Sequence, residues 1–542
     1  MGSLESATPG HGEHLPGTEI IHDGEDHLIH GSETGIVLVP QPSEDPHDPL
    51  NWSTKWKLLV IMTQLVAVFV LTASALSMSP MFPAFSESFD LNNTQLLLIT
   101  GVCILSFAYA NLIVVPCSNI FGRRLTFLFF LSISFASYIW EALASSYTSF
   151  IVARVVNGAG AAACETIPMQ TVADIFFLYE RGRWTVAYFT AASFGSFLGP
   201  VISGNITQRF GWRSFFWLSM AMTCFNFITI LLCSPETKYH RDHAPNPLRQ
   251  TPHASLTPEA MESPTDVSPT VDSKETYSTQ PLPPKPGTGS PSSAQFKIWR
   301  IPDMRWKAFL LRDLLTPFRI CLYPIIFWAA VTVSGVANFV LFWNLTESSV
   351  LGAPPYNFNA SEVGYSNFAF LIGCIVGLVT AGPLSDWVAV KATQRNRGIY
   401  EAEMRLLALI PPAGILLLSV LVGAFAILGS WPWPVLLIFG YGLSGLVVSA
   451  MSSIAVAYAM DSYKPVSGEI MAVVTIVRNT CGFSMSYWVP SLAERRLGYF
   501  LPAMVQLALT FGPLVLGVPM YFLGKRLRMW TRNSSVHLYG GG

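Results

Sequence analysis

Charged residues are scarce in this chain of 542 residues, since Asp, Glu, Lys and Arg together make up 12%. Soluble domains carry about twice that share. Hydrophobic residues make up 51% and the mean hydropathy is +0.44, which excludes a wholly disordered chain. The formal net charge of -1 gives no basic field that would hold nucleic acid. The composition therefore predicts a protein that crosses a membrane many times.

Histidine is missing from the apolar stretches. All 10 His lie outside them, so the ligands that membrane haem proteins and oxygenases use are lacking there. No G-x-x-x-x-G-K-[ST] loop occurs, and an ATP-driven pump would need that loop in another chain. The 8 Cys are scattered in or beside apolar stretches, which favours small apolar residues over a disulfide framework. We expect no enzyme, no metal and no cofactor, and favour secondary transport.

Twelve apolar stretches approach the roughly 20 residues that cross a bilayer as a helix. They form two groups of six, at 58–79, 95–115, 125–143, 150–172, 184–206 and 215–233, and at 320–343, 363–384, 406–428, 434–458, 470–490 and 502–523. Lys and Arg concentrate in the connections on the side of both termini, which predicts cytoplasmic termini. We expect a monomeric, multi-pass protein of the plasma membrane, with a vacuolar or vesicle membrane as the alternative.

The segments outside these groups are polar. The expected organisation is a disordered cytoplasmic tail at 1–54, a six-helix bundle at 55–237, a largely disordered cytoplasmic linker at 238–318, a second six-helix bundle at 319–524 and a cytoplasmic tail at 525–542. The linker is rich in Pro, Ser and Thr and cannot bury enough surface to order itself. Its basic end, 297–319, is expected to lie along the inner leaflet. Sequons on predicted outer segments predict glycosylation at Asn92, Asn205, Asn344 and Asn359.

Two corresponding inner connections carry a shared motif. They read Val115-Pro-Cys-Ser-Asn-Ile-Phe-Gly-Arg-Arg124 and Ala381-Gly-Pro-Leu-Ser-Asp386, and they resemble the inner-loop signature of the major facilitator superfamily. The matching residues include Gly122, Arg123, Arg124 and Asp386. Such an acid can pair with arginines and a helix N-terminus of the facing bundle, which would latch the cytoplasmic side. Because Asn119 replaces the acid in the first copy, we expect a weaker latch there.

The fourth stretch carries charge inside an apolar segment. It contains Arg154-Val-Val-Asn-Gly-Ala-Gly160, which resembles the superfamily motif R-x-x-q-G-x-G with Asn157 in place of Gln. Glu165 follows Arg154 by eleven residues, about 20° around a helix and roughly 16 Å along it. Both would face the central cavity, because exposure to lipid is costly. We predict that Glu165 carries protons and that Arg154 tunes its charge; a structural charge at a helix end is the alternative.

The fifth stretch contains Gly195-Ser-Phe-Leu-Gly-Pro-Val-Ile-Ser-Gly204. It resembles the g-x-x-x-G-P-x-x-x-G motif that is associated with antiporters of this superfamily. Gly195 and Gly199 are one turn apart and permit close helix packing, and Pro200 allows a bend. Close packing there would seal the interface between the bundles while they rock, so the motif favours exchange over uptake.

Shorter motifs extend the resemblance over about 48–523. They are Asp48-Pro-Leu-Asn-Trp-Ser53, Ser234-Pro-Glu-Thr237, Arg397-Gly-Ile-Tyr-Glu-Ala-Glu-Met-Arg405 and Asp461-Ser-Tyr-Lys464. Together they resemble the fungal twelve-spanner drug–proton antiporter family, near its polyamine-type branch. This resemblance implies an all-α membrane protein of twelve transmembrane helices in two pseudo-symmetric six-helix bundles.

The same resemblance implies a proton-coupled antiporter that exports a small organic molecule, such as a drug, toxin or secondary metabolite, by alternating access. Its partners would be that substrate, protons and the lipid bilayer. A polyamine or organic-cation transporter of the same fold is one alternative, and a transporter-like receptor is another.

Polar side chains within the stretches are candidates for the substrate cavity. Arg478 and Asn479 lie in the middle of the eleventh stretch, and no clear acid is visible in the stretches that would face them. A buried Arg needs a partner, water or an anionic group, so we expect it to contact water or substrate. The other candidates are Gln64, Asn111, Asn157, Trp328, Asn338, Asn367 and Tyr458. Isolated amides also serve to join helices.

Overall fold

The computed structural model describes residues 18–20, 43, 45–239, 289–297, 306–396, 399–463 and 467–531. This part of the chain is nearly all helical. Most of the expected N-terminal tail and linker, and all of 532–542, lie outside the described residues.

The helices of the first half correspond to its six expected crossings. They are α1 (Thr54–Leu76), α2 (Phe82–Phe89), α3 (Asn93–Phe121), α4 (Arg123–Leu143), α5 (Tyr147–Ala161), α6 (Ala163–Ile175), α7 (Leu178–Phe210) and α8 (Trp212–Cys233), with 3-10 turns at Pro49–Asn51 and Ser79–Met81. α5 and α6 follow one another through Ala162 and form one crossing. The short α2 packs beside α3.

The second half has a more irregular set of helices. They are α9 (Trp306–Cys321), α10 (Pro324–Leu351), α11 (Ala360–Arg395), α12 (Ile410–Leu428), α13 (Trp433–Val435), α14 (Leu443–Ser462), α15 (Ser467–Ala493), α16 (Phe500–Val515) and α17 (Gly517–Thr531), with 3-10 turns at Ser293–Phe296 and Ala402–Leu409 and a π-helical segment at Leu436–Gly442. α10 extends eight residues beyond the expected end of the seventh stretch at 343.

Eleven helices of the described chain are long and apolar enough, by length and composition, to cross a membrane. α15 is not among them, because Glu469, Arg478 and several hydroxyl and amide residues make it more polar. Its 27 residues span about 40 Å, and it packs between α3 and α10. It is the twelfth crossing, and the fold of twelve helices in two six-helix bundles is confirmed.

The two halves meet along two pairs of helices, α3 with α15 and α7 with α11. We call the end of the molecule that carries Gly122 and Arg395 the linker end, since the chain passes from one half to the other there. The other end, where α3 and α11 begin, is the opposite end. α9 lies against α3 and α15, and the segment before it, 298–305, is outside the described residues.

Parts of the tail and linker that we expected to be disordered are ordered. β1 (Thr18–Ile20) pairs antiparallel with β2 (Ile399–Glu401) in the second half. The backbone N–H of Ser53 donates to the Gly289 carbonyl, and the Gly289 N–H donates to the Asn51 carbonyl, each at 2.8 Å. Because backbone hydrogen bonds fix these segments, 18–20 and 51–53 depart from the disorder expected of the tail, whereas a largely disordered linker stays a prediction.

The glycosylation prediction is contradicted at one of its four sites. Asn344 lies within α10 and is 9% exposed. Asn205 is half-buried within α7, where its Nδ2 donates to the Val201 carbonyl, so its glycosylation stays a prediction. A glycan acceptor needs an accessible side chain. Asn92 and Asn359 are exposed residues that cap the starts of α3 and α11, so their glycosylation stays a prediction.

Candidate functional site

An ion pair joins the two bundles near the middle of the molecule. Arg478 Nη2, on α15, lies 3.0 Å from Glu165 Oε1, on α6. The Glu165 side chain is 13% exposed and that of Arg478 is 31% exposed, so the pair is neither dry nor in bulk water. The expectation that Arg478 lacks an acid in the facing bundle is wrong: that acid is Glu165.

Both bundles supply further hydrogen bonds to the Glu165 carboxylate. Thr475 Oγ1, one turn before Arg478, donates to Oε1 at 2.8 Å, and Asn111 Nδ2 from α3 donates to Oε2 at 3.3 Å. Tyr188 on α7 donates to the Glu165 backbone carbonyl at 3.4 Å. Bonds to an ionised acceptor are stronger than neutral ones, so this arrangement suits a charged carboxylate that holds the bundles together.

The other face of Arg478 is held within its own bundle. Its Nε donates to Asn479 Oδ1 at 3.1 Å, and Asn338 Nδ2 on α10 donates to its backbone carbonyl at 3.0 Å. Three predicted cavity residues, Asn111, Asn338 and Asn479, therefore gather around the ion pair. Sequence reasoning missed Thr475, although its i, i+3 spacing to Arg478 places both on one helix face.

Arg154 has a different partner from the one predicted. Its Nη1 lies 3.5 Å from Glu141 Oε1, with both side chains 0% exposed. Arg154 Nη2 donates to the Ala75 carbonyl at 2.7 Å, and Nε donates to the Ile99 carbonyl at 3.3 Å. The prediction that it tunes Glu165 is wrong. Side chains of a helix lean toward its N-terminus, and α5 ends between the two residues, so the prediction of one shared face fails. Arg154 is a paired, structural charge.

The remaining cavity candidates lie inside one bundle or the other, away from the ion pair. Asn157 Nδ2 donates to Ser137 Oγ, Gln64 Nε2 to Ser234 Oγ, Trp328 Nε1 to the Pro513 carbonyl and Asn367 Nδ2 to Glu347, while Tyr458 packs edge-on against Trp328. All five are buried. Their assignment to the cavity is not supported by this geometry, since all five side chains are enclosed by the helices of one bundle.

The glycine motif of α7 packs in two directions. Gly195 and Gly199 lie against the α1 backbone, where Ala73 is a shared neighbour. Gly204 lies against Ala360 of the other half, and Gly364 lies against Pro200. A side chain at Gly204 would overlap the Ala360 carbonyl. The motif therefore brings α7 close to α1 within its bundle and to α11 across the interface, near the opposite end.

The inner-loop motif forms contacts within each bundle. Gly122, with φ +98°, leaves room for the Glu236 carboxylate, which accepts the backbone N–H groups of Arg123 at 2.9 Å and Arg124 at 3.2 Å. Arg123 Nε also lies 3.1 Å from Asp174 Oδ2. Glu236 thus caps the start of α4, a role that the sequence did not reveal.

The second copy of the inner-loop motif is also closed within its own bundle. Asp386 Oδ1 lies 3.2 Å from Arg405 Nη1, and Arg405 Nε lies 2.7 Å from Asp461 Oδ2. The expected pairing of Asp386 or of Arg123 and Arg124 with the facing bundle is therefore wrong for this structure. α9, which precedes the second bundle at the linker end, packs against α3.

The buried acid of α10 was missed because the seventh stretch was expected to end before it. Glu347 on α10 is 0% exposed. Asn367 Nδ2 on α11 lies 3.1 Å from Glu347 Oε1 and 3.0 Å from Oε2. The sequence could have revealed it, because this acid follows the expected end of the seventh stretch by only four residues. The nearby Asn344 sequon instead indicated an outer loop.

Comparisons with known proteins agree with this architecture. The sequence profile of the Major Facilitator Superfamily matches residues 65–486. Protein HOL1 of Saccharomyces cerevisiae is 27% identical over 98% of this chain and 98% of its own length. MFS antiporter QDR3 of Candida albicans is 31% identical over 37% of this chain and 28% of its own. The proton:xylose symporter XylE, a solved structure, has a TM-score of 0.55 and 11% identity, covering 88% of this chain and 97% of that one, which shows a shared fold.

Proposed function

We propose that this chain, which belongs to the Major Facilitator Superfamily, is a proton-coupled antiporter that exports a small organic molecule by alternating access. The observation that carries the proposal is the Glu165–Arg478 pair, which joins the bundles at mid-depth. Transporters of two packed repeats place their substrate and ion sites at this interface. The direction of export and the plasma-membrane location are part of the proposal.

Protonation of Glu165 is the coupling step of this proposal. A neutral carboxyl loses most of its attraction to Arg478, so the bundles can part and the guanidinium becomes free to contact substrate. Loss of the proton to the cytosol restores the pair. Inward proton movement supplies about 2.3 kcal/mol per charge per 100 mV, enough to drive a substrate outward against its gradient.

Two features favour exchange. The glycine motif of α7 resembles the antiporter motif, and Gly204 brings α7 close to α11 at the opposite end. A relative over part of the chain is named an antiporter. In exchange, proton and substrate compete for one site, and Arg478 can bind either Glu165 or the substrate.

The substrate class follows from the charge at the site. Arg478 already neutralises Glu165, so a cation would have to displace a guanidinium, whereas a neutral or anionic group can take the place of the carboxylate. We therefore favour a neutral or weakly acidic amphipathic molecule, such as a drug, toxin or secondary metabolite. A polyamine or organic cation is the second candidate, on the family resemblance.

The test is Glu165→Gln in proteoliposomes. We expect proton-driven uphill accumulation to fall to background, while counterflow, which needs no net proton transfer, continues. Glu362→Gln is the matched control, because Glu362 is exposed and Gln keeps its capping role at α11. Full proton-driven accumulation by Glu165→Gln would overturn the proposal. Counterflow with anionic, neutral and cationic panels identifies the substrate class.

A further inference from the structure

We propose that Glu347 is a second proton-binding site, which opens and closes the gate at the opposite end. The proposal deepens the proposed function and rests on it in one respect, that the two bundles rock. It assigns to Glu347 a role separate from the transport path through Glu165.

The first step is the burial of Glu347 without a countercharge. The carboxyl is 0% exposed and is held by Asn367 Nδ2, with Asn344 Nδ2 at 3.5 Å from Oε1. Among the described residues, no Lys, Arg or His nitrogen lies within 4.0 Å of it. A buried carboxylate whose partners are neutral amide and hydroxyl groups costs several kcal/mol, which a neutral carboxyl avoids.

The second step is the neutrality of the neighbouring elements. The 3-10 turn of the first half presents Ser79, and α11 presents Ser366 and Asn367. The π-helical segment presents the phenol of Tyr441, a titratable neighbour of Glu347. The Glu165–Arg478 pair is level with Asn338, nine residues or about 14 Å away along α10. Because a proton adds almost no volume, it is the cation that can neutralise the Glu347 carboxylate in this enclosed site.

The third step is that the other bundle covers the site. The turn Ser79–Met81 belongs to the first half and packs against α10 and α11. Met78 and Met81 beside this turn, and Val350 and Leu351 on α10, are all buried. When the bundles part at the opposite end, this cover leaves and water reaches the carboxyl, which can then ionise. Opening therefore releases one proton, and closing takes one up.

The local backbone supports a functional role. Tyr441 lies in the π-helical segment Leu436–Gly442, and π segments recur at functional sites. The Tyr441 hydroxyl is buried without a hydrogen-bond partner in the described structure. Its ring stacks on Phe370 of α11, with ring centroids 4.6 Å apart. Tyr441 is thus a polar group held beside Glu347, and it is free to bond to the carboxyl when the gate moves.

The experiment measures opening at the opposite end as a function of pH. Ser486 on α15 is 0% exposed and its Oγ donates to the Leu97 carbonyl of α3, so Ser486→Cys is a probe that is hidden while the bundles touch. The full chain is placed in lipid nanodiscs with two further substitutions. Glu165→Gln removes the proposed proton site of the transport path, and Cys481→Ser removes an exposed thiol. A membrane-impermeant thiol reagent gives the labelling rate.

Labelling rates are divided by those of Ser145→Cys, an exposed loop position at the same end, because thiolate itself increases with pH. One linked proton predicts a normalised rate that rises by up to about tenfold per pH unit. Glu347→Gln should flatten that rise to less than about twofold and keep the gate closed, because a neutral amide needs no proton to be buried. Glu362→Gln should leave the rise unchanged.

Two results overturn the proposal. One is a rise that persists in Glu347→Gln. The other is a flat rate between about pH 5 and pH 9 with Glu347 intact, which requires no substitution at that position and so applies even if the variant fails to fold. The proposed function fails separately, through proton-driven flux that survives Glu165→Gln.

Discussion

At the scale of single residues, the structure separates charges that hold the fold from charges that can move. Glu141 and Arg154 are fully enclosed in one bundle. Glu165 and Arg478 come from different bundles and remain partly exposed. An ion pair that must break during rocking needs access to water, because the separated charges would otherwise be too costly. The Glu165–Arg478 pair has this access to water, whereas the Glu141–Arg154 pair does not.

Arg478→Gln should reduce proton-driven flux. The substitution removes the guanidinium that lies 3.0 Å from Glu165 Oε1, so the carboxylate no longer draws the two bundles together. We expect proton-driven flux to fall about tenfold or more, since a hydrogen bond to a charged group contributes about 1.5–3 kcal/mol. Arg496→Gln, at an exposed position, is the control and should leave the flux unchanged. Unchanged flux in Arg478→Gln would show that the pair does not couple the two bundles.

The sequence identified Glu165 and Arg478 separately but did not join them. They are 313 positions apart, and the packing of α15 against α3, which lies beside α6, brings them together. For Arg154, the helical spacing to Glu165 gave a wrong prediction, because it assumed one straight helix through Ala162. Glu347 was not considered, because the seventh apolar stretch was expected to end at 343. Local spacing predicts faces of one helix, whereas partners across an interface depend on tertiary structure.

At the scale of helices, close backbone approach controls the interface. Gly204→Val should push α7 away from Ala360 and Gly364 and prevent closure at the opposite end. Overpacking of a tight contact costs about 1–3 kcal/mol, so we expect counterflow to fall about tenfold or more. Gly182→Val is the matched control, because no neighbour lies within 4 Å of the place that a β-carbon would occupy there. Equal activity of the two variants would contradict this role of Gly204.

Glu236→Ala should loosen the start of α4. The carboxylate accepts N–H groups from Arg123 and Arg124, and loss of such a cap lowers the free energy of unfolding by about 1–2 kcal/mol. Thermal unfolding of the purified protein measures the change, and Glu236→Gln, which keeps one acceptor oxygen, should lie between Ala and the native residue. The sequence identified the motif that contains Glu236 but indicated no role for it, because Arg123 and Arg124 lie in a different connection between helices.

At the scale of the whole molecule, the apolar stretches predicted the crossings and their division into two halves. The structure differs from that prediction mainly near the ends of the chain that it describes. The C-terminal end is fixed by a two-pronged pair, with Arg528 Nε 3.0 Å from Glu403 Oε1 and Arg528 Nη2 2.6 Å from Glu403 Oε2. Both side chains are nearly fully buried. This pair ties α17 to the 3-10 turn before α12, whereas composition alone places Arg528 in a cytoplasmic tail.

Arg528→Met should be strongly destabilising, because it leaves the Glu403 charge buried and unpaired. We expect a loss of about 3–5 kcal/mol in unfolding free energy, seen as a lower Tm. The double variant Glu403→Gln with Arg528→Met should recover most of that loss. A double variant as unstable as the single one would show that packing of the Arg528 side chain, and not its charge, matters.

The docked segment 289–297 changes how the two halves are tethered. Glu236 N–H donates to the Gln295 carbonyl at 2.9 Å, and Arg124 Nη1 donates to the same carbonyl at 3.3 Å, so the chain leaves the first half at 239 and returns to it at 289. Residues 239 and 289 are thus both held on the first bundle, and changes in the number of residues between them should leave the rocking of the two bundles unaffected.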